Sequence, residues 1–193
     1  MPDDRFALLF VCHANLCRSP MAERLARQRF DAVLGRDANR VLVQSAGVRA
    51  ENGAPMHPGV AQVLRERGAC PDGFASRPLT AGIVASADLV LTATRHHRAA
   101  CVTLVPEAVR HTYTLRQFAR IAAKLDRAHP QWTDGPPHAR LRGLVRLAME
   151  GRGRSQPVEP GEDDLADPVR EPIAAFRRCA DDIDAVLDTV IGS

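Results

Sequence analysis

The sequence predicts an α/β protein with three layers: a central parallel four-stranded sheet with helices on both faces. Two observations carry the prediction. Four short apolar runs are continuous rather than alternating, as in strands covered on both sides. Segments of helical periodicity lie between them, so successive strands join through βαβ crossovers and run parallel.

Taken in order, Phe6–Val11 ("FALLFV") is the first strand. A helix follows over Pro20–Leu34, with Met21, Leu25, Phe30 and Val33 at near-helical spacing; Ser19 is its expected N-cap and Pro20 its first residue. Val41–Gln44 ("VLVQ") is the second strand, and Pro58–Gly68 a helix closed by glycine. Thr80–Ala87 gives a short helix before a third strand at Asp88–Ala93, and Cys101–Val105 is the candidate fourth strand. Thr114–Leu125 is amphipathic. The last helix, Pro172–Ile191, has an apolar stripe of Ile173, Phe176, Cys179, Ile183, Val186, Leu187 and Val190.

Residues 128–166 break the pattern. They are rich in Pro, Gly, Arg and acids, with one short helical stretch at Leu141–Met149, and read as a long, partly mobile insertion rather than a second domain. Trp132, inside it, reads as a local anchor or partner contact. The expectation is one domain over residues 1–193, because a chain of 193 residues builds one substantial core.

Composition narrows the function. The net charge of +3 suits an anionic substrate and is too small to argue for nucleic acid. No apolar run approaches the roughly 18 residues of a membrane span. The first residues are acidic and then apolar, unlike a signal peptide. Five scattered cysteines, an odd number, read as reduced thiols in a cytoplasmic setting. Oligomeric state is not legible.

The chemistry concentrates in "FVCHANLCRSPMAE", Phe10 to Glu23. Cys12 stands where the first strand ends, at the sheet edge where ligands of α/β proteins bind. His13, Ala14, Asn15, Leu16 and Cys17 form the loop that follows. A helix then begins near Arg18 and aims its N-terminus back at Cys12. Successive loop N–H groups and the helix dipole make a concave anion site, and the same field favours a thiolate. Arg18 supplies a planar fork for two oxygens of a tetrahedral anion. The arrangement describes phosphoryl transfer to sulfur.

These residues resemble the low-molecular-weight protein tyrosine phosphatases, whose signature is C-x5-R-S after the first strand. "VQSAGV" (Val43–Val48), "SRPLT…SADLVLTATRHHR" (Ser76–Arg98) and "DDLADP" (Asp163–Pro168) resemble three further family segments, in family order. The resemblance covers the chain except for roughly residues 102–161. It implies a cysteinyl-phosphate mechanism without metal or cofactor. Cys12 would be the nucleophile, and Arg18 the phosphate clamp and transition-state stabiliser. Ser19 would hydrogen-bond the Cys12 sulfur. Asn15 would hold the loop in a left-handed conformation, bonded to Ser19 and Ser45. Asp167 would protonate the leaving oxygen and then activate water, with Asp163 and Asp164 as fallbacks. Cys17 would be a possible redox partner of Cys12.

The chain also departs from the family. Aromatic residues that line the cleft of phosphotyrosine-directed members are replaced by Val48-Arg49-Ala50 and by Val169-Arg170, and a loop-supporting histidine aligns with Phe74. Arg49 or Arg170 would suit an anionic or sugar-phosphate substrate, so the substrate is either a phosphorylated protein or a small phosphate ester. Against these stand plainer readings: Cys12 and Cys17 as core or loop thiols, Asp167 as a helix N-cap, and "RHHR" (Arg95–Arg98) as a solvated helix face. An arsenate reductase would need two further cysteines close together, whereas Cys70 and Cys101 are far apart in the chain. A non-catalytic phosphate-binding module is the remaining alternative.

Overall fold

A computed structural model describes residues 5–126, 128–130, 134–154, 156 and 158–191. Four strands, β1 (Phe6–Cys12), β2 (Val41–Gly47), β3 (Leu89–Thr92) and β4 (Thr112–Thr114), form one sheet in the order β2-β1-β3-β4. All pairings are parallel. Seven α-helices are described: α1 (Arg18–Leu34), α2 (Pro58–Glu66), α3 (Ala81–Ala85), α4 (Arg95–Leu104), α5 (Leu115–Ala122), α6 (Pro137–Gly151) and α7 (Ile173–Ile191).

The alternation of side chains along β1 divides the core. Phe6, Leu8, Phe10 and Cys12 face a cluster built with Met21 and Leu25 of α1, Val60 and Leu64 of α2, Phe118 of α5, Leu144 of α6 and Phe176 and Ile183 of α7. Leu9 and Val11 face the opposite layer, against Val84 of α3 and Cys101 of α4. Each fully buried aromatic or aliphatic side chain contributes about 1.5–3 kcal/mol. The three layers are therefore held by both faces of the central strand, and Cys12 belongs to the larger cluster.

Several sequence expectations change. Cys101–Val105 is not a strand: residues 101–104 end α4, with Cys101 fully buried on its inner face. The fourth strand is the three-residue Thr112–Thr114, too short and too polar to stand out as an apolar run. Ser19 does not cap α1. The helix begins at Arg18 with Cys17 at the cap position, and Ser19 lies inside the first turn, its hydroxyl committed elsewhere. Residues 128–166 hold a 15-residue helix, α6, whose buried Leu144 and Ala148 join the main cluster. Its apolar residues sit at helical spacing among arginines, which hid its length. Trp132 lies outside the described residues. The α7 stripe is as expected, with Phe176, Cys179, Ile183, Val186, Leu187 and Val190 all buried.

Candidate active site

The carboxyl ends of β1, β2 and β3 meet around the loop from His13 to Cys17. Asn15 is the one described non-glycine residue with a positive φ, 54°, a conformation its short polar side chain tolerates. The turn points loop carbonyls away from the loop's centre. Cys12 O accepts from Val48 N (3.0 Å), His13 O from Arg49 N (2.8 Å), Leu16 O from His57 N (2.9 Å) and Cys17 O from Met21 N (3.1 Å). The amides have no such commitments: among the described residues, none of the N–H groups of His13 to Cys17 has a hydrogen-bond acceptor in the protein. Five consecutive donors at a helix N-terminus constitute an anion nest.

Gly47 makes this packing possible. A Cβ there would lie 2.6 Å from Asn15 N, 2.7 Å from His13 O and 2.8 Å from Ala14 C, all backbone atoms. The end of β2 touches the loop's main chain directly, and only glycine fits.

A directed hydrogen-bond chain runs behind the loop. Asn15 Nδ2 donates to Ser19 Oγ (2.9 Å) and to Ser45 Oγ (2.8 Å), while Asn15 Oδ1 accepts from Arg77 N (2.9 Å). Both amide protons are used, which fixes the orientation of the amide. Ser45 then gives its only proton to Glu23 Oε2, and Glu23 Oε1 is paired with Arg27 at 2.8 Å. Ser19, already accepting from Asn15, has one proton left. Cys12 Sγ lies 2.9 Å away and Ala46 O 3.3 Å, so that proton is available to sulfur when Cys12 is a thiolate and to Ala46 O when the thiol itself donates. Asn15, Ser19, Ser45 and Glu23 are all buried, where a satisfied chain is rigid and an interrupted one costly, and the exposed Arg27 ends the network at the surface.

Arg18 closes the ring. Its Nη1 donates to Leu165 O at 3.0 Å and its Nη2 to Asp167 Oδ2 at 2.5 Å. Its Nε is buried with no acceptor among the described residues. The Arg18 side chain is 6% exposed and that of Asp167 40%, so Asp167 is the partner that faces solvent. The segment bearing it is pinned on both sides of Leu165, whose N–H donates to Ala93 O at 2.8 Å.

Asp163 and Asp164 are occupied differently. Asp163 is buried between Arg95 (3.0 Å) and Arg120. Burial would raise its pKa, but those two guanidinium groups outweigh it and hold the carboxyl below its usual range. Asp164 accepts from Arg95 N at 2.8 Å. Of the three acids, Asp167 alone reaches Arg18.

Cys17 and Cys179 are buried thiols in the same cluster as Cys12. Burial, then the nearby Asp167 and Cys12, push Cys17 up to about 12, and burial does the same for Cys179. The two histidines of "RHHR" part company, as neighbours on a helix must. His96 is exposed, but His97 is buried with its ring centroid 6.3 Å from that of His13, which corrects the reading of this stretch as solvated. Burial first, and then the positive charge of Arg18, lower His97 to about 4, so it is neutral. Phe74 supplies no polar support; it packs on the core beneath Arg24, while the Arg77 N–H holds Asn15 instead.

Sequence reasoning assigned no role to Glu23, Gly47, Arg77 or His97. Glu23 had a visible signal: it stands four residues after Ser19, on the same helical face. The other three come from distant segments that only folding brings to the loop.

The described residues contain no cluster of three potential metal ligands and no helix long and apolar enough to cross a membrane. A profile of the family described as low molecular weight phosphotyrosine protein phosphatase matches residues 7–150. The low molecular weight protein-tyrosine-phosphatase Etp of Escherichia coli K12 is 30% identical over 143 residues, covering 65% of this chain and 91% of its own length. A protein-arginine-phosphatase of Geobacillus stearothermophilus is 28% identical over 183 residues, covering 95% and 92%. The solved structure of the YwlE arginine phosphatase from that organism superposes with a TM-score of 0.66 at 28% identity, over 96% of this chain and 90% of that one.

Proposed function

We propose a mechanism and a substrate class for this chain, which belongs to the low molecular weight phosphotyrosine protein phosphatase family and is a phosphatase of that type. The observation that supports the reading best is the run of five loop amides after Cys12 without an acceptor among the described residues, closed by Arg18.

In this reading the phosphoryl group enters the nest and takes over the Arg18 guanidinium, which binds two of its oxygens. The phosphate displaces Asp167 from Arg18, and Asp167 stays at the mouth as the proton donor. Cys12 sulfur, as thiolate, attacks phosphorus; an S–P bond forms as the P–O (or P–N) bond breaks. Asp167 gives its proton to the departing atom. The charge spread over the equatorial oxygens meets donors already in place, so little reorganisation is needed. Asp167 then takes a proton from water, the resulting oxygen attacks phosphorus, and the S–P bond breaks. Ser19 stabilises the departing thiolate through its single proton, which Asn15 keeps aimed at sulfur. No step calls on a metal.

We assign Cys12, Arg18, Ser19 and Asp167 to catalysis, His13, Ala14, Asn15, Leu16 and Cys17 to phosphate binding through their amides, and Asn15 and Ser45 to loop support. Cys17 as a redox partner of Cys12 is part of the proposal. Its thiol, pushed up to about 12 by burial, would make it a slow attacking group at neutral pH.

The proposed substrate is a phosphorylated protein. Relatives named for phosphotyrosine and for phosphoarginine both lie close. One observation favours a restricted choice among phosphoproteins: Arg49, exposed and bonded through its N–H to the loop, has no carboxylate partner among the described residues. A second anionic group on the substrate would meet it. The test is Cys12→Ser, which should abolish hydrolysis of an aryl phosphate while the circular dichroism spectrum and melting temperature stay near those of the wild type. Retained turnover would exclude the cysteinyl-phosphate route. Arg49→Ala, assayed on phosphopeptides with and without flanking acidic residues, should raise KM only for the acidic ones.

A further inference from the structure

A second concentration of positive charge lies away from the Cys12 loop, beside the ends of β3 and β4. Arg95, Arg98, Arg120 and Arg152 line one cavity of about 320 Å³ together with Gln117 and Asp163. Asp163 is the only acid among the residues lining it, and it is already shared by Arg95 and Arg120. Arg98 and Arg152 have no carboxylate among the described residues. Both donate to the same carbonyl instead, Arg98 Nε at 3.0 Å and Arg152 Nη2 at 2.8 Å from Thr112 O. Arg152 also lies over the Tyr113 ring at 3.8 Å, and its Nε is buried without an acceptor.

Two guanidinium groups converging on one carbonyl repel each other, and partial burial magnifies the repulsion. Four arginines against one aspartate leave about three uncompensated charges. Water and the Tyr113 ring offset part of this charge, and an anion would offset more of it with charge-assisted hydrogen bonds. Gln117 Oε1 is likewise buried without a donor; turning its amide over presents an NH₂ group to an anion instead. The cavity is larger than one tetrahedral group needs.

We propose that this cavity is a second anion site, distinct from the Cys12 loop, that takes a small diphosphate-like anion. Its occupancy reaches Asp167. The anion competes with Asp163 for Arg95 and Arg120, and the Arg95 N–H also holds Asp164. The segment from Asp163 to Asp167 is therefore tied to the arginines that the ligand would engage.

The probe is methylenediphosphonate, whose P–C–P link resists hydrolysis, titrated calorimetrically. Wild type should take two equivalents. Arg18→Ala should lose the one in the Cys12 loop. Gln117→Glu, which places a carboxylate among the arginines, should lose the other, weakening it at least tenfold, and Arg98→Gln should do the same by removing a donor. A wild type that takes one equivalent, abolished by Arg18→Ala, overturns the site whatever its turnover. The coupling to Asp167 rests on the phosphatase reading and has its own arm. With a poor-leaving-group aryl phosphate, methylenediphosphonate should show a non-competitive component that Gln117→Glu removes; purely competitive inhibition in both proteins refutes the coupling.

Discussion

Gly47→Ala is a one-carbon change that tests whether the loop's backbone, rather than its side chains alone, sets activity. The added methyl would meet Asn15 N, His13 O and Ala14 C at 2.6–2.8 Å. Ordinary contact begins near 3.4 Å, so loop and strand must separate by about 0.6–0.8 Å. No flexible side chain can absorb this, because all three contacts are main chain. The same shift stretches the bonds from Val48 N to Cys12 O and from Arg49 N to His13 O, which keep loop carbonyls turned outward. A displacement approaching 1 Å at a reacting centre costs about 10²-fold in rate. Overpacking a tight site costs about 1–3 kcal/mol of stability. The expected result is a kcat/KM on an aryl phosphate lower by about two orders of magnitude. The urea midpoint should fall by the equivalent of about 1–3 kcal/mol with the m-value unchanged. A Gly47→Ala enzyme with wild-type kcat/KM would refute the claim that the β2 end positions the loop.

Asp167→Asn should slow hydrolysis of substrates with poor leaving groups by about 10²–10⁴ and matter far less for good ones; an equal loss on both would move the proton donor elsewhere. Glu23→Ala removes the acceptor for the Ser45 hydroxyl and should lower kcat by about tenfold, or about 1.4 kcal/mol, whereas Glu23→Gln keeps an acceptor and should recover most of it. His97 gives a pH signature. Its folded pKa of about 4 lies below the ordinary value of 6.5, so the unfolded chain binds more protons between these limits. The stability it contributes is present above pH 6.5 and lost as pH falls towards 4. Urea midpoints measured across that window should decline more steeply for wild type than for His97→Gln. Parallel slopes would show that His97 is not the group that titrates.

The local parts of the candidate site were readable in the chain because they are local. Cys12, the five loop residues, Arg18 and Ser19 are contiguous, and a strand followed at once by a helix leaves them few ways to fold. The β-α alternation likewise fixed the parallel sheet, since each crossover can return to it in only one sense. Errors arose where pattern and context diverged. The buried face of α4 has the same apolar content as a strand, so Cys101–Val105 was misread, and β4 is too short to announce itself. Ser19 has the composition of a cap, but a buried amide and a thiol compete for its hydroxyl more strongly than a helix N–H does.

What no local pattern contains is the closure of the site from a distance. Asp163, Asp164 and Asp167 carry the same side chain, and only the family resemblance ranked Asp167 first. Arg95 and Arg120 claim the first, the Arg95 amide claims the second, and Arg18, a hundred and forty-nine positions upstream, reaches only the third. Gly47 is one of 13 glycines until β2 lies against the loop, and His97 is one of two adjacent histidines until α4 turns it inward. The sequence by itself determined the candidate loop and the class of fold, because short-range sterics and periodicity act between neighbours. Tertiary structure decided which carboxylate reaches Arg18, the one the family resemblance had put first, and which backbone supports the loop. Those choices depend on distances between segments that are far apart in the chain.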